Sequence, residues 1–392
     1  MGKKSAVVLL QCSQYDVREI QEKIKYGIEA LGGIETIIGK EETVLLKPNL
    51  LIASDASQAV TTHPAVFEAL IQCIRKYTKN ITYGDSPGIG SPESTAHRCG
   101  IKQVADRYKV ELSNFKDGKT VTYEKGNITK QFEIASGVLE ADAIISISKM
   151  KTHQLTRITG AIKNQYGCIY GFNKPAGHVK FSTALDFSKM LVDLNLYLKP
   201  RLYIMDGIIA MEGNGPKSGT PIPMNCILMS KDPVALDSVF CRLIDLNPEF
   251  IPTITFGEQY GLGRWRDEDI DILGEDIRGL INKNFHVLRK PVITENFNFA
   301  SKARHIALRK PIIENEKCIG CGVCVDVCPV EGKALNFTKQ DKKRQPPQYD
   351  YKKCIRCYCC QEMCPEGAIR VKTPLLGKIL LYREREKRDG EI

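Results

Sequence analysis

The sequence predicts an α/β protein: a large domain built on a Rossmann-like, mostly parallel sheet, followed by a small α+β domain. Three observations carry this. Short apolar runs alternate with helix-like stretches over residues 1–285, the pattern of βαβ units. Nine of the fifteen cysteines crowd between Cys318 and Cys364, while the other six stand singly. At 392 residues the chain is long for one domain and suits one large and one small.

Strands are expected at Ala6–Leu10, Thr43–Lys47, Ile81–Gly84, Ala143–Ser148, Leu202–Met205 and Cys226–Met229. Each is a short β-branched or aliphatic run bounded by polar residues or glycine. Helical periodicity falls between them, at Asp16–Leu31, Pro64–Tyr77 and Ala184–Leu198. Right-handed crossovers then place helices on both faces of the sheet. Residues 286–316 read as a mixed basic connector, and residues 317–374 hold the cysteine module. Residues 375–392 form a basic tail, in which Leu375–Arg388 suits a short helix after the breaker Thr373-Pro374.

Composition narrows the class. Hydrophobic residues make up 43% and charged residues 26% of the chain, as in ordinary globular proteins. No apolar run approaches the roughly 18 residues of a membrane span. The first apolar run, Ala6-Val7-Val8-Leu9-Leu10, is too short for a signal-peptide core, so a cytoplasmic protein is expected. The net charge of +10 is concentrated after Ser301. Cluster-bound thiolates bring negative charge that the formal count omits, and no nucleic-acid partner is expected. Clustered cysteines without a secretion signal point to metal rather than disulfides.

The cysteine module is a tandem repeat. Cys318, Cys321, Cys324 and Cys328 precede Pro329, and Cys354, Cys357, Cys360 and Cys364 precede Pro365. Both runs fit C-x2-C-x2-C-x3-C-P, the bacterial ferredoxin spacing. Three closely spaced thiolates hold three corners of a cubane, and the fourth cysteine reaches the other cluster. Two 4Fe–4S clusters are therefore expected, one on Cys318, Cys321, Cys324 and Cys364, the other on Cys354, Cys357, Cys360 and Cys328. Cys359 breaks the spacing and is read as a non-ligand. Zinc is the rival metal, but its four-cysteine sites usually pair two C-x2-C units across a longer loop.

In an open α/β sheet, ligands bind at the carboxyl ends of the strands. Lys47-Pro48-Asn49, Gly84-Asp85, Lys149 to His153 and Asp206-Gly207 all follow predicted strands. Thr61-Thr62-His63-Pro64, Gly160 to Asn164 and Asp232-Pro233 open helices. Together they suggest one crevice with four cations, Lys47, Lys149, Lys151 and Lys163. Asn49, Asp85, Asn164 and Glu212 are expected as further lining residues. Asp85, Asp206 and Glu212 would balance the charge or ligate a hard cation. Taken singly, Asp232 reads as a helix cap, and His97, His178, His286 and His305 read as structural or exposed. No Walker A run and no full G-x-G-x-x-G is present.

These motifs, continued by Glu212-Gly213-Asn214-Gly215-Pro216 and Asp232 to Asp237, resemble the family called domain of unknown function 362. Members of that family often carry the same ferredoxin module. The resemblance spans nearly the whole chain. It implies a substrate-binding α/β crevice, distantly similar to the N-terminal domain of lactate racemase, and brings no established reaction. The expected function is an iron–sulfur oxidoreductase. Electrons from a soluble low-potential donor would pass through two 4Fe–4S clusters to a small anionic substrate in the crevice. Lys151, His153 and His63 are the expected catalytic residues. A non-enzymatic electron carrier or redox adaptor docking a partner enzyme is the alternative, and a cluster-based sensor is a third reading. An anaerobic or oxygen-sheltered setting is expected for each.

Overall fold

A computed structural model describes residues 4–171, 173–292, 307–337 and 345–382. The strands in chain order are β1 (Ser5–Gln11), β2 (Val44–Pro48), β3 (Ile81–Tyr83), β4 (Glu111–Leu112), β5 (Gly118–Thr122), β6 (Gln131–Ala135), β7 (Ala143–His153), β8 (Arg157–Thr159), β9 (Leu202–Glu212), β10 (Thr220–Ser230) and β11 (Ile270–Gly274). They form one sheet in the order β11-β1-β10-β9-β7-β2-β3-β4, with β8 paired to β7, while β5 and β6 make a separate hairpin.

Pairing is mostly parallel, as the alternation of strands and helices predicts. β2 lies parallel to β3 and β7, β7 to β9, and β1 to β11. The exceptions are β10, which runs antiparallel to β9 and β1, and the short β8, which runs antiparallel to β7. Only residues 213–219 join β9 to β10, too few for a parallel crossover, so the chain folds straight back.

Period-two alternation divides the sheet between two cores. Val8, Leu46, Ile145, Ile147 and Ile204 face the helices Val17–Ala30 and Pro64–Ile74. Leu9, Leu45, Ile144, Tyr203 and Leu228 face the helices Ala184–Leu198 and Pro233–Leu243. Both faces are covered, so the central strands read as continuous apolar runs.

Two strands are longer than their apolar runs suggest. β7 continues to His153 and β9 to Glu212. The stretch Lys149 to His153, expected as a loop, is strand: Lys151, Thr152 and His153 pair with Thr159, Ile158 and Arg157 of β8. Lys149, Lys151 and His153 alternate with Met150 and Thr152, so one polar edge projects past the apolar end of the sheet. Asp206-Gly207 likewise lies within β9 rather than after a strand.

The cysteine module has its own small core. β12 (Lys310–Ile313) pairs with β15 (Ile369–Lys372), and β13 (Leu335–Asn336) with β14 (Gln348–Tyr349), all antiparallel. The helical turns Val323–Asp326 and Cys359–Glu362 complete it. β12 thus starts inside the stretch read as connector. The other end of that stretch packs on the large domain, where the His286 amide donates to Glu212 Oε2 at 2.7 Å. A final helix, Leu375–Tyr382, follows Pro374. The remainder of the expected tail helix and His305 fall outside the described residues.

Candidate functional site

The carboxyl ends of β2 and β7 are tied by buried polar residues. Asn49 donates through Nδ2 to Asn164 Oδ1 at 3.0 Å and accepts at Oδ1 from Lys151 Nζ at 2.9 Å. Asn164 in turn donates to Ser146 Oγ at 2.9 Å. Thr62 buttresses the same corner, accepting from the Asn49 amide and donating to the Ile147 carbonyl. Asp237 reaches under the loop from its own helix and accepts from the Ala161 and Ile162 amides, which fixes where Lys163 and Asn164 stand. Burial pushes the Asp237 carboxyl up to about 7, against those two amides.

The cations predicted for one crevice divide into two groups. Lys149 Nζ lies 2.8 Å from Asp206 Oδ2 and 2.8 Å from the Tyr15 hydroxyl, fully buried. His63 stacks on Tyr15 with ring centroids 3.5 Å apart, and its backbone amide donates to Asp206. Its Nδ1 accepts from the Ala65 amide, capping the helix Pro64–Ile74. Burial holds the imidazole down to about 4, hence neutral. Neither His63 nor Lys149 borders the large cavity described next. Asp206 is fully occupied, as is Asp85, which holds Lys47 at 2.9 Å and the amides of Leu50 and Ser86. Glu212 holds His286 instead of facing the crevice. Asp232 caps the helix Pro233–Leu243 as expected.

The second group opens on a cavity of about 940 Å³ between the large domain and the cysteine module. Asn49, Asp85, Lys151, Lys163 and Asn164 border it from one side, and Cys328, Cys359 and Glu362 from the other. Lys151 donates only to neutral oxygens, Asn49 Oδ1 and the Val60 carbonyl at 2.6 Å. Burial, then repulsion from Lys163 and Lys149, drives its ammonium well below the usual lysine range. Burial also lowers Lys163, whose ammonium makes no hydrogen bond or ion pair among the described residues. Lys174, whose ammonium donates to the Ser86 carbonyl, is brought down by burial to about 7.

His153 lies on the edge of this group and borders a smaller pocket of about 380 Å³. Its Nδ1 accepts from the Leu155 and Thr156 amides, so its proton sits on Nε2, 2.6 Å from Glu362 Oε1. Burial keeps the ring neutral, with a pKa of about 4. The same contact docks the module. Gln361 Nε2 donates to the Asn214 carbonyl at 2.8 Å, and Lys217 Nζ to the Pro365 carbonyl at 2.8 Å. Gly88 packs against the tip of Met363, where a Cβ would stand 2.5 Å from Met363 Cε. The Glu-Gly-Asn-Gly-Pro loop is thus a socket for the second cysteine run.

The nine clustered cysteines sort themselves. Cys318, Cys321, Cys324 and Cys364 line one small pocket, and Cys328, Cys354, Cys357 and Cys360 line another. Both loops use left-handed backbone at matching positions, Gly320 and Gly322 in the first, Arg356 and Tyr358 in the second. Among the described residues no three His, Cys, Asp or Glu side chains converge as on a single ion. All-thiolate sets of this kind suit 4Fe–4S clusters. Cys321 is exposed, while Cys357 and Cys360 are buried. Cys359 faces the 940 Å³ cavity instead of either thiolate pocket.

Residues 44–242 match the family described as domain of unknown function (DUF362). The chain belongs to this family. Residues 317–368 match a 4Fe-4S dicluster domain, so the DUF362 domain is followed by an iron–sulfur module. A thylakoid-associated protein of Synechocystis is 31% identical over 66% of this chain and 80% of its own length. Ferredoxin-2 of Desulfomicrobium norvegicum is 75% identical over 20 residues, 5% of this chain and 34% of that protein. Among solved structures, lactate racemase apoprotein from Thermoanaerobacterium thermosaccharolyticum covers 57% of this chain and 54% of its own, at 12% identity and a TM-score of 0.36. A Thermotoga maritima protein covers 57% of each chain, at 12% identity and a TM-score of 0.34. The dicluster domain and the ferredoxin match point to iron–sulfur electron transfer. No described helix of this DUF362 protein is long and apolar enough to cross a membrane.

Sequence reasoning missed four residues of the cavity. His178, read as structural or exposed, is buried there, stacked on Phe187 with ring centroids 4.5 Å apart. Its Nδ1 has no hydrogen-bond partner among the described residues. Lys174, Cys359 and Glu362 also face the cavity. Glu362 had no local signal, because it reaches His153 and the wall of the cavity only once the module docks. Cys359 did carry one: it is the single cysteine out of register.

Proposed function

We propose that this protein is an iron–sulfur oxidoreductase, with a cluster in each thiolate pocket and an anionic substrate held in the crevice of the DUF362 domain. One observation carries the reading. The cavity is bounded on one side by Lys151 and Lys163, and on the other by Cys328 and by Cys359, next to the ligand Cys360. A bound anion therefore lies against the second thiolate pocket. Clusters in these pockets supply one-electron transfer.

The chain's own residues supply the rest. Lys151 and Lys163 attract the anion, and burial lowers the basicity of both, which favours passing a proton to a bound ligand. His153 holds Glu362, and with it the helix that carries Cys359 and Cys360, against β7. Exposure of Cys321 leaves the first pocket open to a soluble electron-carrier protein.

Anaerobic purification with iron and sulfide assays, followed by EPR during stepwise reduction, tests the reading. About eight irons per chain with coupled reduced-cluster signals are expected. Zinc in their place, or about four irons, overturns the paired relay. Partner-enzyme binding without any saturable anion binding transfers support to the redox-adaptor reading.

A further inference from the structure

We infer that the ligand of the inter-domain cavity is a bulky organic acid, an anionic group on an extended apolar body, and not a two- to four-carbon acid. This rests on the reading of the cavity as the substrate site, and it concerns which class of anion enters.

Size comes first. Pockets of roughly 300–1,000 Å³ enclose ligands of drug size, and this one holds about 940 Å³. A three-carbon acid has about six heavy atoms. At the ~30 Å³ share of a liquid water apiece, it fills roughly a fifth of the space. The remainder would stay as water against apolar wall.

The lining sets the chemistry. Leu51, Ile89, Phe115, Val323, Val327 and Met363 offer apolar surface from both domains. Such contact rewards a ligand with hydrocarbon or aromatic body and gives nothing to a small hydrophilic ion. The charge requirement is equally specific. Lys47 is matched by Asp85, and Glu362 Oε1 lies 2.6 Å from His153 Nε2. The ammonium of Lys151 donates to neutral oxygens alone, and that of Lys163 makes no direct hydrogen bond or ion pair among the described residues, feeling the carboxylates of Glu362 and Asp85 only at a distance. One anionic group satisfies both. His178 adds a third demand. It is 7% exposed, and its Nδ1 lacks a partner among the described residues. A second polar atom on the ligand, or a water it carries, completes that nitrogen.

The test uses the full-length, anaerobically purified protein with three probes: 1-naphthoate, its neutral amide 1-naphthamide, and acetate. Titration calorimetry should show saturable 1-naphthoate binding, at least tenfold tighter than acetate and at least tenfold tighter than the amide. Lys163→Gln should weaken 1-naphthoate tenfold or more. His178→Phe, which keeps the stack on Phe187, should weaken it several-fold. Ile89→Trp should exclude 1-naphthoate by filling the cavity, and its unfolding midpoint should match the parent protein. Acetate bound as tightly as 1-naphthoate, affinity unchanged in Lys163→Gln, or binding of neither probe overturns the inference. EPR of the reduced protein separates the two readings. If 1-naphthoate binds without altering any cluster signal, electron delivery to this site fails and the ligand class stands. If acetate alone binds and alters a signal, the reverse holds.

Discussion

Two groups of lysines stand side by side at the end of this sheet, and they differ in what meets them. Around Lys149 every polar atom is answered: Asp206 takes the ammonium, the Tyr15 hydroxyl and the His63 amide. Around Lys151 and Lys163 the answers are incomplete, with two neutral oxygens on one lysine and none on the other among the described residues. Desolvating a charge is costly unless a counter-charge is placed against it. The closed group is therefore part of the fold, and the open group is kept at a cost to stability that a ligand can offset.

The largest effect should come from breaking the closed group. Asp206→Ala leaves Lys149 buried without its partner, and should cost about 3–5 kcal/mol of unfolding free energy in denaturant titration. The double variant Lys149→Met, Asp206→Leu should recover most of that loss. Equal loss in both would show that the pair itself was not what mattered.

The open group should behave oppositely. Lys151→Met removes a charge that the fold holds against burial, so stability should stay level or rise by about 1 kcal/mol. Anion affinity should fall by about tenfold, or 1.4 kcal/mol, in the same protein. A variant that unfolds but keeps its affinity would erase the distinction between the groups.

A pH titration sharpens it further. Lys174 is held by burial to about 7. It is charged below that value and neutral above it, so anion affinity should decline as pH rises from about 6 to 8, by at most about tenfold per unit for one proton. Flat affinity across that range would take Lys174 out of the site.

The smallest effect belongs to His63. Its folded pKa of about 4 lies below its ordinary value of 6.5. The unfolded chain thus binds the extra proton first, and stability is lost as pH falls from about 6.5 towards 4. His63→Gln should flatten that acid slope slightly and leave anion binding unchanged. Lost anion binding would join the two groups into one site.

Much of this arrangement was legible beforehand. The apolar runs located β1, β2, β3 and the cores of β7, β9 and β10, because burial on both faces writes itself as uninterrupted aliphatic sequence. Lys149 to His153 was harder. Charged residues resemble a loop, and only pairing with β8 shows that they alternate as a strand. His63 looked catalytic because it opens a helix beside the predicted crevice, and its contacts are those of a cap and a stack.

The sequence by itself determined the covalent and local facts. Cysteine spacing sets which thiolates share a loop, since three sulfurs within seven residues have little freedom to part. Hydrophobic periodicity sets the sheet, since each strand must bury both faces. Only the tertiary structure decided which lysine meets a carboxylate. It also showed that the Glu-Gly-Asn-Gly-Pro loop grips the module, and that His178, Cys359 and Glu362 enclose a cavity with Lys163. The contacts with the module join residues more than a hundred positions apart, and local spacing carries no information about a contact that exists only after two domains have docked.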